Sequence, residues 1–304
     1  MIYLLRHVTA YTYRNAVTHA RCTLRLTPRD GEGQRVLSHR LRIHPAPQDR
    51  ETIRDFFGNA ATTLTVETPH RAFRIEAVSR IEVERMELPD LASGLAWEEV
   101  RERVLACPSL APDAPVHFVS PSRRVPLVAE VTDYARASFP LKGGAYAGAV
   151  DLMRRIHADF TFDSGATDVA TPLTQAFAGR HGVCQDFAHV MIAGLRGLGL
   201  PAAYVSGYLR TRPPPGMKRL EGADASHAWV AVWCGDGWHG LDPTNAMGVE
   251  DDHIVLAHGR DYADVAPVAG IIAGSGSQHL TVAVDMVPED EADFAAAGDQ
   301  PLRV

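Results

Sequence analysis

Cysteine is scarce: 304 residues carry four, at positions 22, 107, 184 and 234. No CxxC pair occurs among them, which excludes a dense disulfide framework and leaves the expectation of a reduced, cytoplasmic protein with free thiols. Basic patches are also missing. Net charge is -7 and the pI about 6.0, which argues against a nucleic-acid partner. Only two of the 30 basic residues are lysine, Lys142 and Lys218, an imbalance that carries no functional conclusion. No apolar run reaches the length of a membrane span. The N-terminal "MIYLLRHVTAYTY" lacks a basic leader, a long apolar stretch and a small-residue cleavage site. Neither a signal peptide nor membrane association is therefore expected. The 14 histidines include His181, His189, His239, His253 and His258, yet no HxxxH or HExxH spacing appears, so neither a metal nor another cofactor is expected. What is present is ordinary: 46% hydrophobic and 22% charged residues, enough for a real core in one large or two smaller domains.

Hydrophobic patterning divides the chain. Residues 1–85 read as β: Ile2, Leu4 and Val8 alternate with polar positions, "QRVLSHRLRIHP" places Leu37, Leu41 and Ile43 on one face, and Gly58-Asn59 marks a turn. Short strands without intervening helices predict a small antiparallel β-sandwich. Residues 86–144 form a helical connecting region around "LAWEEVRERVLACP" and "LVAEVTDYARASF", split by a Pro-rich stretch. From 145 the chain reads as helix, then as a second helix opened by "HGVCQDFAHVMI". Phe187, Met191, Leu195 and Leu198 give that helix a core-facing stripe, and Gly199 and Pro201 end it. "AAYVSGYLRT" is a strand, "RPPPGMKRLEGAD" a loop, and "SHAWVAVWC-GDG-WHGLDPT" a hairpin. Residues 145–247 make one core. Residues 248–304 are a C-terminal extension in which only "HLTVAVDMVP" reads as a strand.

Cys184 stands at a helix start. Unpaired N–H groups and the macrodipole there favour a thiolate and can hold an oxyanion. Asp186, in the same turn, opposes the thiolate, so a cationic partner is needed. Position alone is equally explained by a small buried hydrophobe. His227 shares one strand face with Trp229, Ala231 and Trp233. A two- or four-residue hairpin loop puts Asp242 on that same face, opposite Trp229 or Ala231; a three-residue loop with a bulge inverts the parity. A carboxylate beside imidazole sets its tautomer and stabilises its cation, the partner Cys184 requires. Each residue has a bland reading as well, His227 as a satisfied sheet histidine and Asp242 as an Asp-Pro turn residue.

The segments "GVCQDFAHVMIAGLRGLGLPAAYVSGYL", "SHAWVAVW" and "GWHGLDPTN" resemble the bacterial transglutaminase-like family, within the papain-like thiol enzymes. "LRLTPRDGEGQRVLSHRLRIHPAP" and "DFFGN" resemble the N-terminal region that accompanies this core, and "GRDYADVAPVAGIIAGSGSQHLTVAVDMVP" its C-terminal end. The resemblance implies an α+β fold in which a Cys-bearing helix packs on an antiparallel sheet. It implies Cys184 as nucleophile, His227 as general base then acid, and Asp242 as the residue orienting His227. It also implies a peptide or protein substrate, with small peptides suggested because bacterial relatives are often encoded near ATP-grasp peptide-ligase-like proteins.

The reaction expected is thiol acyl transfer at a glutamine side chain, peptide or isopeptide bond, with hydrolysis favoured over protein cross-linking. Two other readings compete with it. A non-catalytic peptide-binding module would use the same cleft but has no need of an intact triad. A zinc site lacks ligand spacing, and no EF-hand-like loop supports calcium. Trp229, Tyr208, Gln185 and the Pro-rich loop before the histidine strand are lesser candidates for lining the cleft.

Overall fold

A computed structural model describes residues 1–31, 33–85, 87–92, 94–211 and 225–291. The loop read above as a candidate cleft rim, 212–224, lies outside the described residues. Six strands come first: β1 (Ile2–Val17), β2 (His19–Leu24), β3 (Gln34–His44), β4 (Asp49–Arg54), β5 (Ala60–Val66) and β6 (His70–Val83). Helices α1 (Trp97–Leu105), α2 (Ala129–Arg136) and α3 (Ala145–Asp159) follow, then β7 (Thr161–Phe162), α4 (Leu173–Gly179), β8 (His181–Gly182) and α5 (Cys184–Gly197). Next come β9 (Ala202–Leu209), β10 (Ala225–Trp233), β11 (Trp238–Asp242), β12 (Met247–Gly248) and β13 (His253–Gly259). Last are α6 (Tyr262–Val265), β14 (Val268–Ala273) and β15 (Gln278–Pro288). No helix among the described residues is long and apolar enough to cross a membrane.

Two four-stranded antiparallel sheets, ordered β15-β1-β6-β3 and β14-β2-β5-β4, enclose a cluster that includes Tyr13, Val17, Leu24, Leu64, Phe73 and Ile75. In the first half of β1 the buried positions are Tyr3, Leu5, His7, Val8 and Thr9, whereas Ile2 and Leu4 are only half-buried. Of the alternating set Ile2, Leu4 and Val8, only Val8 is therefore buried. A run apolar at four of its first five positions does not reveal which face is covered. The sandwich takes its last strand in each sheet from the far end of the chain. β15 pairs along β1 from Tyr3 opposite Pro288 to Tyr13 opposite Gln278, and β14 pairs with β2. Residues 248–304, read as one extension, are therefore shared out: β13 joins the core sheet while β14 and β15 close the sandwich. β13 and β14 escaped the sequence reading because β13 is a continuously buried run and β14 an exposed edge, so neither alternates.

The core sheet runs β12-β11-β10-β9-β13, and α5 packs on β9 and β10. The predicted stripe Phe187, Met191, Leu195 and Leu198 is buried. So is every residue from Gln185 to Arg196, because α2, α3 and α4 cover the remaining sides. Arg196 near the helix end is buried, and among the described residues no carboxylate pairs with it directly, although the charge of Asp261 favours it. Its guanidinium donates to the carbonyls of Phe118 (2.9 Å), Ala202 (2.8 Å) and Arg260 (2.7 Å). Burial lowers its pKa to about 10, and carbonyl dipoles replace the lost water. One cation thereby fastens Phe118, the start of β9 and Arg260 to the back of α5.

β13 is a sheet edge, and the sandwich covers it with side-chain amides. Gln34 donates to Val255 O (2.9 Å) and accepts from Val255 N (2.8 Å). Asn59, of the quoted "DFFGN", does the same at His258, with 2.8 Å to its O and 2.8 Å from its N. Each amide offers one donor and one acceptor, as a strand residue would, so two side chains stand in for a neighbouring strand. At the centre of the same interface His7 is buried, its Nδ1 2.9 Å from the Tyr208 hydroxyl and its Nε2 2.7 Å from Thr9 Oγ1.

Two measurements test this interface. Removing either amide takes away hydrogen bonds to buried backbone groups of β13, the Val255 N–H for Gln34 and the His258 N–H and carbonyl for Asn59, so Q34A and N59A each lower unfolding stability by about 1–3 kcal/mol in urea titrations. Burial lowers His7 to about 4 and His189, on α5, also to about 4. Both gain protons on unfolding, so their contribution to stability is full above pH 6.5 and is lost as pH falls toward 4. The urea midpoint should fall across that window, and H7Q should flatten the slope.

Candidate active site

The helix that carries Cys184 begins in a braced turn. Val183 is extended (φ -106°, ψ 178°), and Asp186 Oδ2 reaches back to accept from Val183 N (2.9 Å) and from the Thr167 hydroxyl (2.6 Å). Gly182 is required there, since a Cβ would lie 2.5 Å from that carboxylate oxygen. Upstream, the Arg180 guanidinium lies over Phe177 (4.1 Å), Tyr134 (4.7 Å) and Phe160 (4.8 Å) and anchors the approach. Asp186 therefore caps the helix, with its charge spent on two donors. The first intrahelical bonds are those of Asp186 and Phe187 to Val183 O. The N–H groups of Cys184 and Gln185 are left free of the helix ladder, on the turn that carries the half-buried thiol.

The hairpin brings the other two residues. Trp233 pairs with Trp238, and Cys234 N bonds to Gly237 O at 3.0 Å, so the connection is the four residues 234–237. That even length preserves parity. With Val230 opposite Leu241, Asp242 lies level with Trp229, one pair step from His227, as the sequence allowed. His227 Nε2 is 2.7 Å from Asp242 Oδ2, and both side chains are buried. Asp242 Oδ1 accepts from Thr244 N (2.9 Å) and Asn245 N (3.2 Å), and Asn245 Nδ2 donates to Oδ2 (2.7 Å). The Asp-Pro turn and the carboxylate that holds histidine are thus one structure: Oδ1 folds the turn while Oδ2 meets the ring.

Cys184 lies close enough to His227 for its side chain and charge to act on the imidazole. Nε2 is committed to Asp242, so Nδ1 is the nitrogen left for sulfur. Burial alone would lower the imidazole. The hydrogen bonds to Asp242 and Cys184 and the charges of both outweigh it and raise His227 to about 10. Burial opposes Asp242 as well, but hydrogen bonds from His227 and Asn245, with His253 close by, hold it far below the usual carboxylate range. The resting pair is an imidazolium against a carboxylate, and that imidazolium is the cation the helix start lacked.

The lesser candidates are distributed differently. Tyr208 is turned away from the thiol, toward His7. The tyrosines electrostatically coupled to Cys184 are Tyr204 and Tyr262, which the sequence did not single out. Trp229 is fully buried, tilted against His227 (6.1 Å between centroids) and edge-on to His253 (5.2 Å). Gln185 is buried at the helix start. Asn245 and His253 also went unassigned. Asn245 was legible as the last residue of "DPTN", whereas nothing in the chain order tied His253 to Asp242. Among the described residues no three His, Cys, Asp or Glu side chains are grouped to hold a metal ion.

Comparisons with known proteins agree with this architecture. Residues 3–82 match the bacterial transglutaminase-like N-terminal region, and residues 134–243, which contain Cys184, His227 and Asp242, match the transglutaminase-like superfamily. The chain is 42% identical over 295 residues to the uncharacterized protein Rv2569c of Mycobacterium tuberculosis, covering 94% of this chain and 92% of that one. A shorter similarity, 30% over 140 residues (39% of this chain and 21% of the other), is to a protein-glutamine gamma-glutamyltransferase of Pseudomonas aeruginosa. Among solved structures, "a Putative Cysteine Protease from Cytophaga hutchinsonii" shares the fold with a TM-score of 0.75 at 21% identity, over 94% of this chain and 90% of that one. With its α+β core and its β-rich N-terminal unit, the chain belongs to the transglutaminase-like superfamily, in the form that carries the bacterial transglutaminase-like N-terminal region.

Proposed function

We propose that the protein catalyses thiol-dependent acyl transfer or hydrolysis at amide bonds, with Cys184 as nucleophile, His227 as acid and base, and Asp242 as the group that orients His227. The observation that carries this reading is the division of the His227 ring. Nε2 is fixed on a buried carboxylate at 2.7 Å, so Nδ1 serves the half-buried thiol at a helix start.

The cycle follows from these groups. The Cys184 thiolate adds to an amide carbonyl, and the oxyanion that forms is received by the free N–H groups of the first turn. His227 gives its Nδ1 proton to the leaving amine, the C–N bond breaks, and a thioester remains on Cys184. Neutral His227 then takes a proton from water or an incoming amine as that nucleophile attacks the thioester. The C–S bond breaks, the thiolate is restored, and the imidazolium with it. A glutamine side chain, a peptide and an isopeptide bond all present the same carbonyl. The activity in the name of the Pseudomonas relative supports a glutaminyl donor. We favour hydrolysis or exchange on small peptide-like substrates over protein cross-linking.

Association with an ATP-grasp peptide-ligase-like protein and a cytoplasmic location belong to the same proposal. The first is motivated by the family resemblance and is tested by co-purification. The second rests on four unpaired cysteines and is tested by fractionation.

Two outcomes check the triad. In C184A, labelling by iodoacetamide at the site disappears, and thioester trapping from a glutaminyl and isopeptide library, read by mass spectrometry, falls by about 10³ or more. Label on Cys107 or Cys234 in place of Cys184 would overturn the assignment. In D242N the imidazole loses its anionic partner, so the His227 titration midpoint, followed by NMR of histidine-labelled protein, drops from about 10 toward the ordinary value of 6.5.

A further inference from the structure

Asp242 has a second histidine. His253, the first residue of β13, is wholly buried, and its Nε2 lies 3.5 Å from the same Oδ2 that receives His227. Its Nδ1 accepts the Glu250 N–H (3.3 Å), so the ring proton sits on Nε2, facing Asp242. That N–H has no closer partner, and 3.5 Å is long for a hydrogen bond. A buried donor left at the outer limit of bonding, aimed at a functional carboxylate, asks for an explanation. Packing alone does not call for a histidine here: the ring sits edge-on to Trp229 at 5.2 Å, a contact that another ring of similar size would also make.

We infer that His253 is a positioning residue for the reaction, donating its Nε2–H to Asp242 Oδ2 opposite His227 and so limiting how strongly the carboxylate holds the catalytic imidazolium. This rests on the thiol reading above and refines it. An oxygen shared between two N–H donors gives less of its charge to either one. An imidazolium held less tightly is a stronger acid toward the leaving amine. When His227 surrenders its proton, the carboxylate loses a charged partner, and His253 is already in place to close on it. The backbone of His253 is fixed for this purpose. Its N bonds to Glu250 O at 3.0 Å, its carbonyl accepts Arg85 NH2 (3.0 Å), and two residues on Gln34 clamps Val255. The sandwich thus sets the position of β13, and β13 sets the second donor on Asp242. The charged and titratable groups around the pair are His227 on β10, Cys184 on α5, Arg85 from the linker, and Glu250, Asp251 and Asp252 in the turn before His253.

The test uses the intact chain and reads His227 directly. In H253L, which keeps an apolar side chain but removes the donor, the His227 titration midpoint rises by about 0.5–1 unit and Cys184 acylation slows several-fold. H253Q, which retains an N–H, returns both toward wild type. A folded H253L, verified by circular dichroism, with unchanged His227 titration and unchanged acylation overturns the inference while Cys184 still labels. Absence of label on wild-type Cys184 overturns the thiol reading instead. Should H253L not fold, the wild-type nitrogen spectrum decides: the proton on Nε2 of His253 supports the inference, and the proton on Nδ1 ends it.

Discussion

The buried contact between His227 and Asp242 is the constraint on which the rest depends. Two groups that ionise have been taken out of water and set 2.7 Å apart, an arrangement that costs more than it returns unless every remaining lone pair is met. Asp242 satisfies that condition with its own turn: Thr244 N and Asn245 N on one oxygen, Asn245 Nδ2 on the other. Such a carboxylate stays ionised when buried, and an ionised Asp242 keeps a proton on His227. The charge beside Cys184 is thus a product of the hairpin and the turn that ends it, and the helix dipole need not supply it alone. Asp186 would work against the thiolate if its carboxylate were bare. Val183 N and the Thr167 hydroxyl absorb it, so the cap and the thiol share one turn.

The β-sandwich belongs to the same machinery. Its sheets are closed by strands from the opposite end of the chain, and its Gln34 and Asn59 amides complete the hydrogen bonding of β13, the edge of the core sheet. β13 begins with His253 against Asp242, runs to His258 under Asn59, and leads through Asp261 into α6. There Tyr262 N bonds to His189 on the Cys184 helix at 3.2 Å.

Much of this was legible in the residue order, and the parts that were not have physical causes. Cys184, His227 and Asp242 could be placed because each sits at a feature that local rules describe: a helix start, a strand with two-residue period, and a hairpin whose loop length sets parity. The α5 stripe was visible, but its burial on every side was not, since that depends on α2, α3 and α4 folding over it. β13 and β14 went unseen because one strand is buried on both faces and the other on neither, so neither shows the two-residue alternation. Tyr208 and Tyr204 lie on one strand with the same preference for β structure, so nothing in the sequence separated the one that meets His7 from the one coupled to the thiol.

By itself, then, the sequence determined the kinds of element and the order of the chemically capable residues, and narrowed the shared face of His227 and Asp242 to a question of hairpin length. These are short-range properties, set by backbone geometry over a few residues. Only the tertiary structure decided that Nε2 rather than Nδ1 of His227 takes the carboxylate, that a second histidine from β13 meets the same oxygen, and that the chain's last strands finish its first sheets. Those outcomes depend on which surfaces exclude water from one another across separations of up to some 285 residues, as in Tyr3 opposite Pro288. No local rule carries that information, because burial is a property of the assembled fold.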